Sequence, residues 1–307
     1  MSNSTIDFKG RVAIVTGAGG GLGRQHALAL AARGAKVVVN DLGGARDGSG
    51  GSVSAAQAVV DEIKAAGGEA MANGASVTDF EAVQAMVKQA VDAWGRVDIL
   101  VNNAGILRDK SFAKMELADF KLVVDVHLMG AVNCTKAVWA LMNEQKYGRI
   151  VMTTSSSGLY GNFGQSNYGA AKLALVGLMQ TLSIEGAKND IRVNCLAPTA
   201  ATRMTEGLMP QEVLDALKPE AVVPAMLVLA AENAPNRTIL CAGAGTFEAA
   251  HITLTPGAWL GIGADTPEQL AARLAEVTSR EGEIVPQSGS AQGSNEVDKA
   301  MANARKG

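Results

Sequence analysis

The stretch Val12–Arg33, VAIVTGAGGGLGRQHALALAAR, decides the fold. Its first four residues, Val12 to Val15, form a short continuous apolar run, the pattern of a strand buried on both faces. Glycines then stand at 17, 19, 20, 21 and 23, and Gln25 to Arg33 reads as a helix. Strand, glycine turn and helix in this order bring free backbone N–H groups and the positive end of a helix dipole to one point, where a pyrophosphate fits. A glycine turn alone is a weak sign, because tight turns use glycine for conformational reasons. Here its flanks carry the reading.

Working outward, a second strand is expected over 36–40, and Asp41 follows at its end, eighteen residues beyond Gly23. A carboxylate there is placed to accept hydrogen bonds from an adenosine ribose and to oppose a 2′-phosphate. A long glycine-rich loop comes next. Helices are expected over 53–66, 80–94, 117–144, to about 187 from Tyr168, and over 224–231. Strands are expected over 69–73, 97–101, 149–154, 191–196 and 239–241, so strands and helices alternate throughout. The alternation implies right-handed crossovers and an α/β fold, a Rossmann-type doubly wound parallel sheet with helices on both faces and ligand at the strands' carboxyl ends. We expect residues 1–245 to form this dinucleotide-binding domain and 246–307 a C-terminal extension with a strand over 252–254, a helix from Thr266 to Thr278, a polar linker over 286–294 and a short terminal helix.

The run SSSGLYGNFGQSNYGAAK, Ser155–Lys172, carries the chemistry. Tyr168 and Lys172 are four residues apart and share one helix face, so an ammonium can sit near a phenol. A phenol titrates near pH ~10, and lowering it by ~2 units takes roughly 2.7 kcal/mol of electrostatics, which a nearby cation can partly supply. Ser155 ends a strand and can present its hydroxyl at the same place.

Three motifs in order, the glycine turn with Thr16, Gly17, Gly21 and Gly23, then Asn102-Asn103-Ala104-Gly105, then Ser155 with Tyr168 and Lys172, resemble the short-chain dehydrogenase/reductase family over residues 8 to about 245. The resemblance implies that Tyr168 is the catalytic acid-base and that Ser155 orients the substrate oxygen. It implies that Lys172 binds the nicotinamide ribose and lowers the tyrosine pKa. It further implies a dinucleotide contacted by Gly17, Gly21, Leu22, Gly23, Asp41, Ser76, Val77, Asn103, Ala104, Gly105, Pro198 and Thr199, besides Tyr168 and Lys172. Val39 to Gly44, Gly161 to Gln165 and Ala197 to Ala200 are similar to the (3R)-hydroxyacyl-CoA dehydrogenase branch found in peroxisomal multifunctional enzymes, also described as hydroxysteroid dehydrogenases. This branch implies an NAD-dependent oxidoreductase acting on a bulky apolar secondary alcohol. Reduction of 3-oxoacyl groups on an acyl-carrier protein is the alternative, and a catalytically silent dinucleotide-binding scaffold is one of another class. The family's usual Asn is replaced by His127, which we read as a satisfied helix residue facing the sheet rather than a proton-transfer group. Ser76 stands where an adenine-contacting Asp is common.

Composition narrows the partners. A net charge of -3 leaves no basic footprint for nucleic acid. No segment has eighteen consecutive apolar residues, so no membrane span is expected. The polar start MSNSTIDFKG reads as no signal peptide, and three scattered cysteines read as reduced thiols of a cytoplasmic protein without a metal site. The Tyr168 helix is apolar nearly all round, so a homodimer or homotetramer is expected. The loop after Pro198, with Met204 as the expected substrate contact, is suited to an extended apolar body.

Overall fold

A computed structural model describes residues 5–44, 47–50, 54–201 and 210–305, which pack as two units, 1–249 and 250–307. The first unit runs β1 (Val12–Thr16), α1 (Gly21–Ala32), β2 (Lys36–Asn40), α2 (Ser54–Ala65), β3 (Glu69–Asn73), α3 (Phe80–Trp94) and β4 (Ile99–Asn102). It continues with α4 (Leu117–Val124), a π-helical turn (Asp125–Met129), α5 (Gly130–Gln145), β5 (Gly148–Thr153), α6 (Ser156–Tyr160) and α7 (Ser166–Gly186). It closes with β6 (Ile191–Thr199), α8 (Gln211–Ala216), α9 (Val223–Ala230), β7 (Ile239–Gly243) and β8 (Thr246–Ala250).

The sheet has eight strands in the order 3-2-1-4-5-6-7-8, and the pairings from β3 through β7 are parallel. Sequence order reverses between β1 and β4, so the crevice beyond their carboxyl ends is where such a fold takes a ligand. All five residues of β1 and all four of β4 are buried, as helices on both faces require. Two residues, Ala244 and Gly245, both with positive φ, turn β7 into β8, a hairpin turn that the alternation did not announce.

The expected helix over 117–144 is interrupted by the π turn. One extra residue in the helical ladder rotates the chain between α4 and α5 and turns His127 inward, where it is 3% exposed.

At the amino ends of the strands lies a polar node. Arg149, fully buried, donates to the carbonyls of Gly148, Asp190, Ala231 and Glu232 and to the Asp190 carboxylate, at 2.6–3.0 Å. The guanidinium groups of Arg11 and Arg149 each lie over the Tyr147 ring, 3.6 and 4.2 Å from its centroid. These bonds join β5, the start of β6 and the end of α9.

The second unit contains α10 (Thr266–Ala272), α11 (Leu274–Val277) and α12 (Ser290–Ala304). The helix expected over 266–278 is broken at Arg273, and the terminal helix absorbs much of the expected linker. In place of the strand expected over 252–254 there is one antiparallel bridge, Leu254 with Ile284. None of the described residues from 251 to 305 is buried.

Candidate active site

A cleft of about 500 Å³ opens at the carboxyl ends of the strands. Its walls include Gly17, Gly21 and Leu22 of the glycine turn, Asp41 after β2, and Asn103, Ala104 and Gly105 after β4. Ser76 and Val77 after β3, Pro198 and Thr199 at the end of β6, and Ser155, Tyr168 and Lys172 complete the set. Gly23, expected to contact the dinucleotide, does not line the cleft but packs against the turn, where a Cβ would meet the Gly17 carbonyl. Met204 and its neighbours over 202–209 lie outside the described residues.

The dinucleotide half is built by close backbone approach. Gly17 has φ +63°, and a Cβ on it would lie 2.8 Å from the Ala104 Cα. Asn103 donates through Nδ2 to the carbonyls of Thr16 and Gly17, both at 3.0 Å, which ties the end of β4 to the turn. Gly20 caps α1 without a side chain, so the first N–H groups of the helix meet no side-chain acceptor and are available to an anion. Asp41 accepts from the Gly19 and Gly43 N–H groups, at 2.7 Å each. A bare helix end, a turn whose glycine positions a Cβ would fill, and a carboxylate at the next strand end fit a dinucleotide.

In the other half, Ser155 caps α6, its Oγ accepting from Ser157 N–H at 3.2 Å. Lys172 is 3% exposed, with Nζ donating to the Thr153 carbonyl at 2.5 Å and lying 5.4 Å from the Tyr168 ring centroid. Thr154 Oγ1 donates to the Lys172 carbonyl at 2.7 Å, holding α7 against the end of β5.

The expected lowering of the phenol does not occur here. Burial pushes the Tyr168 pKa up, the Ser155 hydroxyl opposes that, and Asp109 adds to it. Lys172 gives little help because its own burial takes its pKa down to about 7, only partly offset by Cys195. Desolvation disfavours both charged forms, so near neutral pH the phenol is protonated and the amine partly discharged.

His127 lies closer to the chemistry than its sequence context implied. Its ring meets Tyr168 edge-on, with centroids 5.1 Å apart, and Nε2 bonds the main chain of Ile106. Burial first, and then the Lys172 charge, lowers its pKa to about 3, so the ring is neutral. The π turn that places it leaves no mark in hydrophobic periodicity. Asn167 and Arg108 were also missed: Asn167, fully buried, accepts from Tyr168 N–H at 2.7 Å and donates to the Arg108 carbonyl at 3.1 Å. Only an Asn immediately before the Tyr could have hinted at this.

Among the described residues, no helix is long and apolar enough to cross a membrane and no group of His, Cys, Asp and Glu is placed to hold a metal.

The profile of the family described as short chain dehydrogenase matches residues 11–213. Peroxisomal multifunctional enzyme type 2 of Drosophila melanogaster is 51% identical over 267 residues, covering 87% of this chain and 44% of that protein. The solved full-length fly structure matches with TM-score 0.81 and 39% identity, over 98% of this chain and 51% of that one. The present chain thus spans about half the length of this relative, and the similarity reaches past Gly245, where the sequence motifs stop. A short chain dehydrogenase from Mycobacterium avium matches over 88% of this chain and 95% of its own, at 40% identity and TM-score 0.76. A 7α-hydroxysteroid dehydrogenase, solved with NADH and 7-oxo glycochenodeoxycholic acid, matches with TM-score 0.70 and 30% identity over 78% of this chain and 95% of its own.

Proposed function

We propose, from the premise that this chain belongs to the short-chain dehydrogenase family, that it interconverts a bulky apolar secondary alcohol and its ketone with NAD, the alcohol being a (3R)-hydroxyacyl-CoA thioester or a hydroxysteroid. The observation that carries the reading is that one cleft joins a glycine turn fit for a dinucleotide to Ser155, Tyr168 and Lys172. The nicotinamide supplies hydride transfer. The protein's part is the proton. In reduction the Tyr168 phenol gives its proton to the substrate oxygen, and in oxidation its phenolate, the form that burial disfavours, takes the hydroxyl proton, with Ser155 holding that oxygen in line. Lys172 fixes the ribose beside the ring. Leu107, Leu122, Val126 and Leu217 line the same cleft and suit an apolar substrate body.

Preference for NAD is supported by Asp41, whose carboxylate would oppose a 2′-phosphate. Arg24, the nearby cation, is turned to Glu62 on α2 and held by both carboxylate oxygens at 2.7 Å. Purified protein assayed with NAD and with NADP across acyl-CoA, acyl-carrier, steroid and small polar alcohols tests both points. The expected result is turnover of an acyl-CoA or steroid alcohol with the higher kcat/KM for NAD, and a narrower preference in Asp41→Ala. Efficient turnover of only a small polar alcohol, or a higher kcat/KM with NADP, would refute the reading.

A homodimer or homotetramer is supported by two features. On α7 the exposed positions Ala170, Leu173, Gly177, Thr181 and Ile184 recur along one face, whose one exposed charge, Glu185, stands at its end. Residues 251–305 leave Trp259, Ile262, Leu270 and Leu274 exposed and bury nothing, which is unusual for so long a segment on its own. Light scattering at micromolar concentration is expected to give two or four copies, and a monomer would contradict this. A reducing compartment suits the three free cysteines. The cytoplasm expected from the sequence, or the peroxisome in the relative's name, meets that condition.

A further inference from the structure

We propose that Arg108 is a positioning residue: its side chain holds the glycine-rich loop after β2 over the dinucleotide half of the cleft, while its main chain braces the start of the helix that bears Tyr168. This rests on the proposed reading of the cleft as a dinucleotide site. Arg108 Nε donates to the Asp47 carbonyl at 2.8 Å, and Nη1 donates to the Asp119 carboxylate at 2.9 Å. The two contacts leave the guanidinium anchored on α4 while it grips the loop. Gly44 and Gly48 of that loop line the cleft together with the glycine turn. A Cβ at Gly48 would lie 3.4 Å from Ile106, so the loop rests on the same segment that carries Arg108. The Arg108 carbonyl points the other way, to Asn167, which accepts from the Tyr168 N–H.

Physical cost explains why such a residue matters. A loop rich in glycine loses more conformational freedom on ordering than any other kind, and ligand binding must otherwise supply that ordering. Asp41 fixes the start of the loop through Gly43 N–H, and Arg108 fixes its middle through Asp47. With these two points held before the cofactor arrives, less affinity is lost to ordering. The chemical step gains nothing from this side chain, since no described bond runs from it to Tyr168, Ser155 or Lys172. Lysine cannot replace it fully, because a single ammonium lacks the fork that meets both acceptors.

The test is fluorescence titration of the full chain with NADH, together with steady-state kinetics on the best alcohol. Arg108→Ala is expected to raise the Kd for NADH and the KM for NAD by about tenfold, the size of one hydrogen bond from a charged donor, while kcat at saturating NAD falls by much less. Arg108→Lys is expected to recover part of the affinity. Gly48→Ala, at φ +88°, strains the loop without touching Arg108 and is expected to reproduce the loss of affinity. If Arg108→Ala does not fold, the lysine and Gly48 variants decide. Unchanged NADH affinity in the variants that fold, or a fall in kcat as large as the rise in KM, overturns the role of Arg108. A wild-type chain that binds neither NADH nor NADPH overturns instead the dinucleotide reading beneath it.

Discussion

Replacing Tyr168 with phenylalanine is expected to lower kcat by at least a hundredfold while NADH affinity stays within about threefold, because a positioned proton donor contributes 10²- to 10⁴-fold. The substitution removes one oxygen. The ring keeps its edge contact with His127 and its place above Lys172, and the bonds from Asn167 to Tyr168 N–H and from Thr154 to the Lys172 carbonyl involve main chain, so the helix stays where it is. The phenol oxygen is also the atom whose pKa burial raises, so its removal relieves desolvation and is not expected to weaken the fold. Measurement of kcat and NADH binding on the same preparation separates the outcomes. A loss of less than about tenfold in kcat would remove Tyr168 from the proposed proton transfer.

Gly23→Ala is expected to cost about 1–3 kcal/mol of stability and to abolish measurable NAD binding. The added methyl would meet the Gly17 carbonyl oxygen and Asn103 Nδ2 well inside contact distance, and these two atoms already bond each other at 3.0 Å. Nothing soft lies in the way: two backbone segments and a committed side chain must separate. Either the turn distorts and no longer presents the first N–H groups of α1, or β4 moves from the turn and Asn103 is lost. Gly293→Ala serves as a control, because a methyl there meets nothing within 4 Å. Thermal melting with NADH titration reads both, and unchanged affinity in Gly23→Ala would show that the turn is not held by close packing.

The central sheet could be read from the sequence because each strand is a short apolar run bounded by glycine or a polar end, and helices fall regularly between them. Asp41, Ser155, Tyr168 and Lys172 converge in the cleft because they sit at or after strand ends, where topology alone brings them together. Other features had no local signature. The π turn at Asp125–Met129 keeps helical periodicity and only shifts its phase, so His127 could be read as facing the sheet but not as touching Tyr168. Arg108 gains its meaning from Asp47 and Asn167, 61 and 59 residues away, which no window of sequence joins. The electrostatics were legible only in part: four-residue spacing brings the lysine near the phenol, but the burial that discharges Lys172 and raises Tyr168 belongs to the tertiary structure. β8, exposed over its first four residues, lacked both alternation and an apolar run.

The buried node around Arg149 and Tyr147 has a bearing on how tolerant the molecule is of change. Its bonds tie strand starts and the end of α9 together at the edge of the sheet opposite the cleft, and most of them end on main-chain carbonyls, which no substitution of the partner removes. The cleft is walled instead by loops, strand ends and the cleft-facing residues of several helices. Residues that set which alcohol is accepted can therefore drift one at a time under selection, each with its small stability loss, without loosening the frame. On the proposed reading of the cleft, a variant library confined to Leu107, Leu122 and Leu217 is expected to change substrate range, whereas one touching Arg149 is expected to lose stability first.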